Sequence, residues 1–124
     1  MASKQANSKQ KEWMIAIADF ASTDLNLLYG DEFDRVQFQL HHVLGRSAKN
    51  NKTAIGHEFI LPVPFFLHDV NSNHPENVTH NKKAFVRRFG TQRDLFNTMN
   101  QSMKEEGYIV PDIYVYDAIM SSSA

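Results

Sequence analysis

The spacing of apolar residues along the chain predicts a mixture of helices and short strands. A first helix is predicted over residues 12–22 by four apolar residues at helical spacing, Trp13, Ala16, Ile17 and Phe20. Apolar and polar residues then alternate over residues 36–40, which predicts a half-buried strand that runs into His41 and His42. A second short strand is predicted over residues 59–61. We expect it to break at Pro62, because proline removes a hydrogen-bond donor from a β-ladder.

The C-terminal half of the chain is predicted to be helical. One long helix is expected from residue 77 or 79 to Gly107, with Gly90 as a candidate break between two pieces. The face that this helix should bury consists of six apolar residues: Phe85, Phe89, Leu95, Phe96, Met99 and Met103. Pro111 and Asp112 predict the start of a short final helix that packs back onto the domain.

Length and composition favour one small α+β domain. A chain of 124 residues that is 42% hydrophobic can build a single core. We expect a disordered basic arm over residues 1–11, a folded domain over 12–120 and a short tail over 121–124. The chain has no cysteine, which excludes disulfides and thiolate zinc sites. No apolar run approaches the roughly 20 residues of a membrane helix, so we expect no membrane partner and a cytoplasmic location.

Charge is distributed unevenly along a chain whose formal net charge is only −1. Between residues 35 and 93, nine lysines and arginines stand against three acids, a local balance of +6. A basic region of this kind is what a surface that contacts DNA requires. The charge pattern alone is explained equally well by a solvated face on which charges happen to segregate.

All six histidines fall between residues 41 and 80, and they are His41, His42, His57, His68, His74 and His80. Imidazoles suit a divalent transition metal, and a neutral histidine beside such a metal can activate water. Consecutive strand residues point to opposite faces, so His41 and His42 serve one metal only if the strand is distorted. His74 lies in a loop before Pro75 and is better explained as a structural or surface residue. For His57 both explanations stay open.

Several short motifs follow one another in order along this part of the chain. They are Leu40-His41-His42, Gly56-His57 with Leu61-Pro62, Leu67-His68, Thr79-His80 and Arg88-Phe89-Gly90-Thr91-Gln92. Together, over about residues 13–98, they resemble the Ref-type (recombination enhancement) branch of the HNH nucleases of phages, although each motif alone is weak. The resemblance implies a small α+β domain with a ββα-metal (HNH) core flanked by helices. It also implies a metal-dependent DNA endonuclease that acts in phage recombination on DNA with a RecA-type filament, in the cytoplasm of a bacterial host.

The resemblance further implies roles for individual residues. His42 resembles the general base that activates water. His41, His68 and His80 resemble metal ligands or groups that face the phosphate. The metal is expected to be Mg²⁺ or Mn²⁺, with Zn²⁺ as a further candidate, and His57 is an additional candidate for the site. Contacts to the DNA backbone are expected from six cations: Arg46, Lys49, Lys82, Lys83, Arg87 and Arg88.

The chain departs from the family at a structural zinc site. The four zinc ligands of the family fall at about Ala21, Asp24, Pro64 and Leu67 in this sequence, and all four are replaced. We therefore expect no structural zinc. In its place we expect packing by neighbouring apolar side chains, namely Phe20, Leu25, Phe65, Phe66 and Leu67.

Two other functions stay open on the sequence alone. The first is a non-catalytic module that binds DNA or a recombinase on a retained ββα scaffold, and the second is a histidine-rich metal-binding protein. A metal held by His41, His68 and His80, with water in reach of His42, would favour the nuclease. The histidine-rich metal-binding protein predicts no affinity for DNA.

Overall fold

The first helix extends further at both ends than its apolar spacing predicts. In the computed structural model of the chain, α1 spans Ser8–Tyr29. A reciprocal cap begins it: the Asn7 side chain accepts from the Gln10 backbone N–H at 2.8 Å, and the Gln10 side chain accepts from the Asn7 backbone N–H at 2.9 Å. The helix ends at Gly30, whose φ of 105° is a conformation that side chains with a Cβ rarely adopt.

The predicted disordered arm over residues 1–11 is corrected in its second half. The structure describes residues 5–124, so the first four residues of that arm lie outside the described part. Residues 8–11 form the first turn of α1, because the cap at Asn7 satisfies backbone N–H groups at the start of the helix. The spacing of apolar residues gives no information about such a cap. The predicted tail is also attached to the domain, since the Arg93 backbone N–H donates to the Ala124 carbonyl at 3.2 Å.

Two strands that are distant in the sequence form the central antiparallel sheet. The strand β1 (Phe38–His42) is followed by a small hairpin of β2 (Lys49–Asn50) and β3 (Thr53–Ala54). The next strand, β4 (Ile60–Pro64), returns to pair with β1 and is buried along its whole length. Helices together with these small sheets confirm the predicted α+β class.

The strand β4 continues through two prolines, so the expected break at Pro62 is wrong. The Val43 N–H donates to the Phe59 carbonyl at 3.1 Å, and hydrogen-bonded positions alternate along an antiparallel ladder. Pro62 and Pro64 fall between those positions, where β1 needs no donor from β4. The Pro62 carbonyl points instead toward α1, where it accepts a hydrogen bond from the Tyr29 hydroxyl at 2.7 Å.

The predicted long helix is two helices. After the single turn α2 (Phe65–His68), a loop leads to α3 (Lys82–Phe89), and α4 (Gln92–Glu105) follows a break at Gly90. The φ of Gly90 is 94°, which explains why the helix stops there. The short final helix is α5 (Ile113–Met120), as expected. Within the described residues, no helix is long and apolar enough to cross a membrane.

The hydrophobic core is built by α1, β4, α3 and α4. Of the six residues predicted for the buried face of the long helix, five are buried, and Phe89 is half-buried. The Phe89 ring packs edge-on against Tyr29 and Phe33, at centroid separations of 5.3 and 5.8 Å. The core thus holds α3 against the end of α1.

Apolar side chains pack where the resembled family has its zinc. Phe20, Ala21, Leu25 and Leu67 are all fully buried. Phe66 is 64% exposed, so the expectation that it joins this packing is wrong, because the turn α2 directs its side chain outward.

We expect removal of metal ions to leave the chain folded, because burial of these apolar side chains stabilises this region. Far-UV circular dichroism in EDTA should show the same cooperative thermal unfolding as in metal-free buffer. As a positive control, Leu25→Ala should cost about 2–5 kcal/mol of the free energy of unfolding, since it opens a cavity in a full core. Unfolding by EDTA would contradict this prediction, because it would mean that metal binding supplies the folding free energy.

Candidate histidine site and basic surface

The end of β1 places its two histidines in different surroundings, as alternation along a strand requires. The His41 ring packs against His68 of α2, with centroids 4.9 Å apart. The His42 ring packs edge-on against His57, which precedes β4, with centroids 5.4 Å apart. The structure therefore brings four of the predicted site residues together as two pairs, one on each face of the sheet.

Gln39 determines which nitrogen of His68 carries the proton. It lies two residues before His41 on β1, and therefore on the same face of the sheet. Its Oε1 is 2.5 Å from His68 Nδ1. A carboxamide oxygen can only accept, so Nδ1 carries the proton and Nε2 keeps its lone pair. The lone pair on Nε2 can therefore bind a metal ion or accept a proton.

Burial keeps both members of the His41–His68 pair neutral. Burial and then repulsion from His68 lower the pKa of His41 to about 4, and Lys82 adds to the lowering. The Gln92 carboxamide is close enough to His41 to oppose this lowering of its pKa. Burial also lowers the pKa of His68, against a smaller opposing effect of the Asp69 carboxylate. Near pH 7 both imidazoles are uncharged and can offer lone pairs.

Gln92 belongs to this site although the histidine pattern does not point to it. It stands at the first position of α4 and is 3% exposed. Its Oε1 is buried and makes no full hydrogen bond within residues 5–124. In the sequence, Gln92 appears only as the last residue of the Arg88–Gln92 motif, and nothing in that motif indicates its place beside His41.

His42 is also held neutral, but its ring is covered. Burial, and then repulsion from His57 and Arg46, lower its pKa. Its Nε2 is buried and makes no hydrogen bond with the described part of the chain. A neutral ring is the form that a general base needs. This nitrogen has to be uncovered, however, before it can reach a water molecule.

His80 joins neither pair. It is exposed before α3, and its Nε2 lies 3.1 Å from the Val70 carbonyl. Across residues 5–124, no three His, Asp or Glu side chains are grouped so that they could hold a metal ion. The structure thus brings together two of the three predicted ligands, His41 and His68. His74 accepts from the Glu76 backbone N–H at 3.0 Å, in keeping with the structural role expected for it.

The donors of the His41–His68 pair fit some metals better than others. Imidazole nitrogens suit Zn²⁺ and neighbouring transition metals, whereas Mg²⁺ prefers oxygen ligands and octahedral geometry. Catalytic zinc sites have three protein ligands and one open position, so two imidazoles would leave one further position to water or to a phosphate oxygen. Of the metals predicted from the sequence, Zn²⁺ fits this pair best.

The cations predicted to bind DNA lie on two parts of the surface. Lys82, Lys83 and Arg87 are exposed on α3 and line one shallow groove. Arg46 and Lys49 are exposed on the loop after β1 and on β2. None of these five side chains forms an ion pair with another residue of the described chain. Lys82 is close enough to His41 to lower its pKa, so the start of α3 lies near the His41–His68 pair.

Arg88 is engaged within the protein, contrary to its predicted contact with phosphate. It forms ion pairs with Glu32 and, at 2.6 Å, with Glu76. Its guanidinium also lies over the rings of Phe33 and Phe89, 5.6 and 4.8 Å from their centroids. The guanidinium therefore connects α3 to the segments that contain these two carboxylates and to two aromatic rings. We call this arrangement the Arg88 clamp and exclude Arg88 from the cations predicted to bind DNA.

No family model, no curated protein and no solved structure matches this chain. The resemblance to the Ref-type HNH nucleases therefore rests on the sequence motifs alone.

Proposed function

We propose that the chain is a metal-dependent DNA endonuclease whose site is the His41–His68 face of the β1–β4 sheet. The proposal rests on the pairing of two neutral imidazoles at this face, whose ring centroids are 4.9 Å apart. Gln39 sets the tautomer of one of them, His68. The helix that follows the two strands brings exposed cations to the same face. An HNH-type ββα core is part of the proposal, supported by the order of β1, β4 and α3 and by the motifs.

The residues of this face suit an anionic phosphodiester. A divalent metal bound by His41 and His68 would stabilise charge on the scissile phosphate and on the departing oxygen. Lys82, at the start of α3, is near enough to His41 to lower its pKa. The first backbone N–H groups of α3 receive no side-chain cap. Uncapped N–H groups at a helix N-terminus, together with a lysine, favour an anion. Lys83 and Arg87 extend this positive surface along the helix, where a DNA backbone would lie.

The cellular setting is proposed from the resemblance. It points to phage recombination in a bacterial cell, with the DNA presented in a RecA-type filament. The exposed cations of α3 support a DNA-binding surface, and no site for a recombinase is proposed.

A second candidate function, a non-catalytic DNA-binding module, is favoured by the position of His80. Its Nε2 interacts with the Val70 carbonyl instead of joining His41 and His68. A site with two protein ligands binds metal more weakly than one with three, whereas the basic surface of α3 does not depend on a metal. In this case the chain would bind DNA and leave it intact.

A plasmid-nicking assay distinguishes the two candidates. Zn²⁺, Mn²⁺ and Mg²⁺ are tested in turn, with and without RecA and ATP. We expect nicking with a transition metal, no nicking in EDTA and none by His68→Ala, while the control His74→Ala nicks as wild type does. DNA binding without nicking under every condition would favour the second candidate. Neither binding nor nicking would contradict both.

We expect DNA affinity to depend on salt through the three cations of α3 that form no ion pair with the described residues. Each phosphate contact contributes about 0.9 to the slope of log affinity against log salt concentration on duplex DNA. Replacing Lys82, Lys83 and Arg87 together with alanine should therefore flatten this slope by about 2–3. Fluorescence anisotropy with a labelled duplex over a salt series measures it.

The matched control for this experiment removes the same charge from other helices. Lys9, Lys11 and Lys104 are exposed on α1 and α4, and their triple alanine variant should keep the wild-type slope. Equal flattening in both triple variants would show that net charge, rather than the surface of α3, determines the affinity.

A further inference from the structure

Each histidine of the His41–His68 pair has a glutamine beside it. Gln39 of β1 accepts from His68 Nδ1 at 2.5 Å. Gln92, at the start of α4, has its carboxamide beside the His41 ring. The two glutamines come from elements that are distant in the sequence, so two parts of the fold converge on the pair with the same functional group.

The two carboxamides are used to different extents. Gln39 Oε1 has its hydrogen bond, whereas Gln92 Oε1 is buried and makes no full hydrogen bond within the described residues. A buried oxygen without a donor is costly to the fold. Neutral His41 carries one N–H, and a metal ion bound to one ring nitrogen would fix that proton on the other nitrogen, where it can be donated to Gln92.

We propose that Gln39 and Gln92 are positioning residues that orient His68 and His41 for one shared divalent metal ion of the zinc class. Each carboxamide oxygen accepts the N–H of one imidazole, so that the lone pair on the other nitrogen is directed to the metal. Both glutamines are neutral, so the ion keeps its full positive charge for an anionic ligand such as phosphate. This inference rests on the proposed function and adds the residues and the class of metal on which it depends.

Metal affinity of the intact chain tests the inference without any enzymatic readout. Zn²⁺ binding is measured by isothermal titration calorimetry, and Co²⁺ binding by its visible absorption. We expect Gln39→Leu and Gln92→Leu each to weaken binding by about 10–100-fold. Gln39→Glu should retain wild-type affinity, because a carboxylate also accepts from His68 Nδ1. Gln37→Leu and Gln101→Leu, at exposed positions near β1 and on α4, are the matched controls and should bind as wild type does.

A spectroscopic readout separates positioning from general stability. The ¹⁵N shifts of the His68 ring should show a proton on Nδ1 in the wild type and in Gln39→Glu, and should lose that preference in Gln39→Leu. Circular dichroism spectra of all variants should match those of the controls.

The outcomes separate this inference from the proposed function. Equal metal affinity in the two leucine variants and their controls would overturn the inference, although nicking by the wild type would still support the nuclease. Affinity that depends on both glutamines, without nicking, would uphold the inference and contradict the nuclease. A wild-type chain that binds neither Zn²⁺ nor Co²⁺ would overturn the inference outright.

Discussion

Replacing His42 with alanine should slow DNA cleavage by about 10²–10⁴-fold, which is the usual effect of losing a general base. The His42 ring is neutral, because burial and then repulsion from His57 and Arg46 lower its pKa. Its Nε2 makes no hydrogen bond with the described chain, so its capacity to accept a proton is not used within the fold. DNA affinity should stay near the wild-type value, because the α3 cations are unchanged.

Single-turnover nicking measures this loss, and anisotropy with a labelled duplex checks binding in the same samples. His74→Ala is the control for the removal of an imidazole from the same part of the chain. His42 faces away from His41 and His68, so a large effect would also mean that the end of β1 turns when DNA binds. Cleavage by His42→Ala at the wild-type rate would show instead that His42 and His57 form a structural pair.

Acidification should destabilise the metal-free chain by about 3 kcal/mol through His41 alone. A histidine in an unfolded chain has a pKa near 6.5, whereas burial lowers that of His41 to about 4 in the fold. Between these values the unfolded chain binds more protons than the folded one. The stability that neutral His41 contributes is therefore fully present above pH 6.5 and is lost as the pH falls toward 4. Each unit of pKa difference corresponds to about 1.4 kcal/mol.

Urea unfolding in EDTA, at a series of pH values, measures this effect in the wild type and in His41→Gln. Carboxylates elsewhere titrate in both proteins, so the difference between the two curves isolates His41. That difference should change by about 3 kcal/mol between neutral pH and pH 4. A difference that does not vary with pH would show that His41 is not held neutral by burial. His68 and His42, whose pKa values are lowered as well, also destabilise the fold on acidification, and they do so in the wild type and in His41→Gln alike.

The sequence predicts those parts of the fold that depend on local patterns. The alternation before His41 and His42 correctly indicates a strand, and Gly90 correctly divides a long helix, because each signal lies within a few residues. The start of α1 and the continuity of β4 through Pro62 were not predicted. The first depends on the reciprocal cap at Asn7, and the second on which residues of β1 lie opposite the prolines.

The candidate site is less predictable, because it depends on which elements meet. Alternation along β1 predicts that His41 and His42 point to different faces, but not that α2 brings His68 to one of them. Gln92 reaches His41 only because α4 begins there, and no residue near it in the sequence indicates this. Arg88 looks like one more cation of a basic run until the fold brings Glu32 and Glu76 to its guanidinium.

If the α3 cations bind DNA as proposed, the Arg88 clamp bears on the entropy of that binding. It fixes the last turn of α3 to the 3-10 turn at Asp31–Phe33 and, through Glu76, to the loop that leads into the helix. The cations Lys83 and Arg87 therefore stand on a backbone that is already ordered before DNA arrives. Because the conformational entropy of the helix backbone has already been lost during folding, DNA binding would have to immobilise only the lysine and arginine side chains. A guanidinium that touches no phosphate would in this way strengthen binding by preorganising the surface that does.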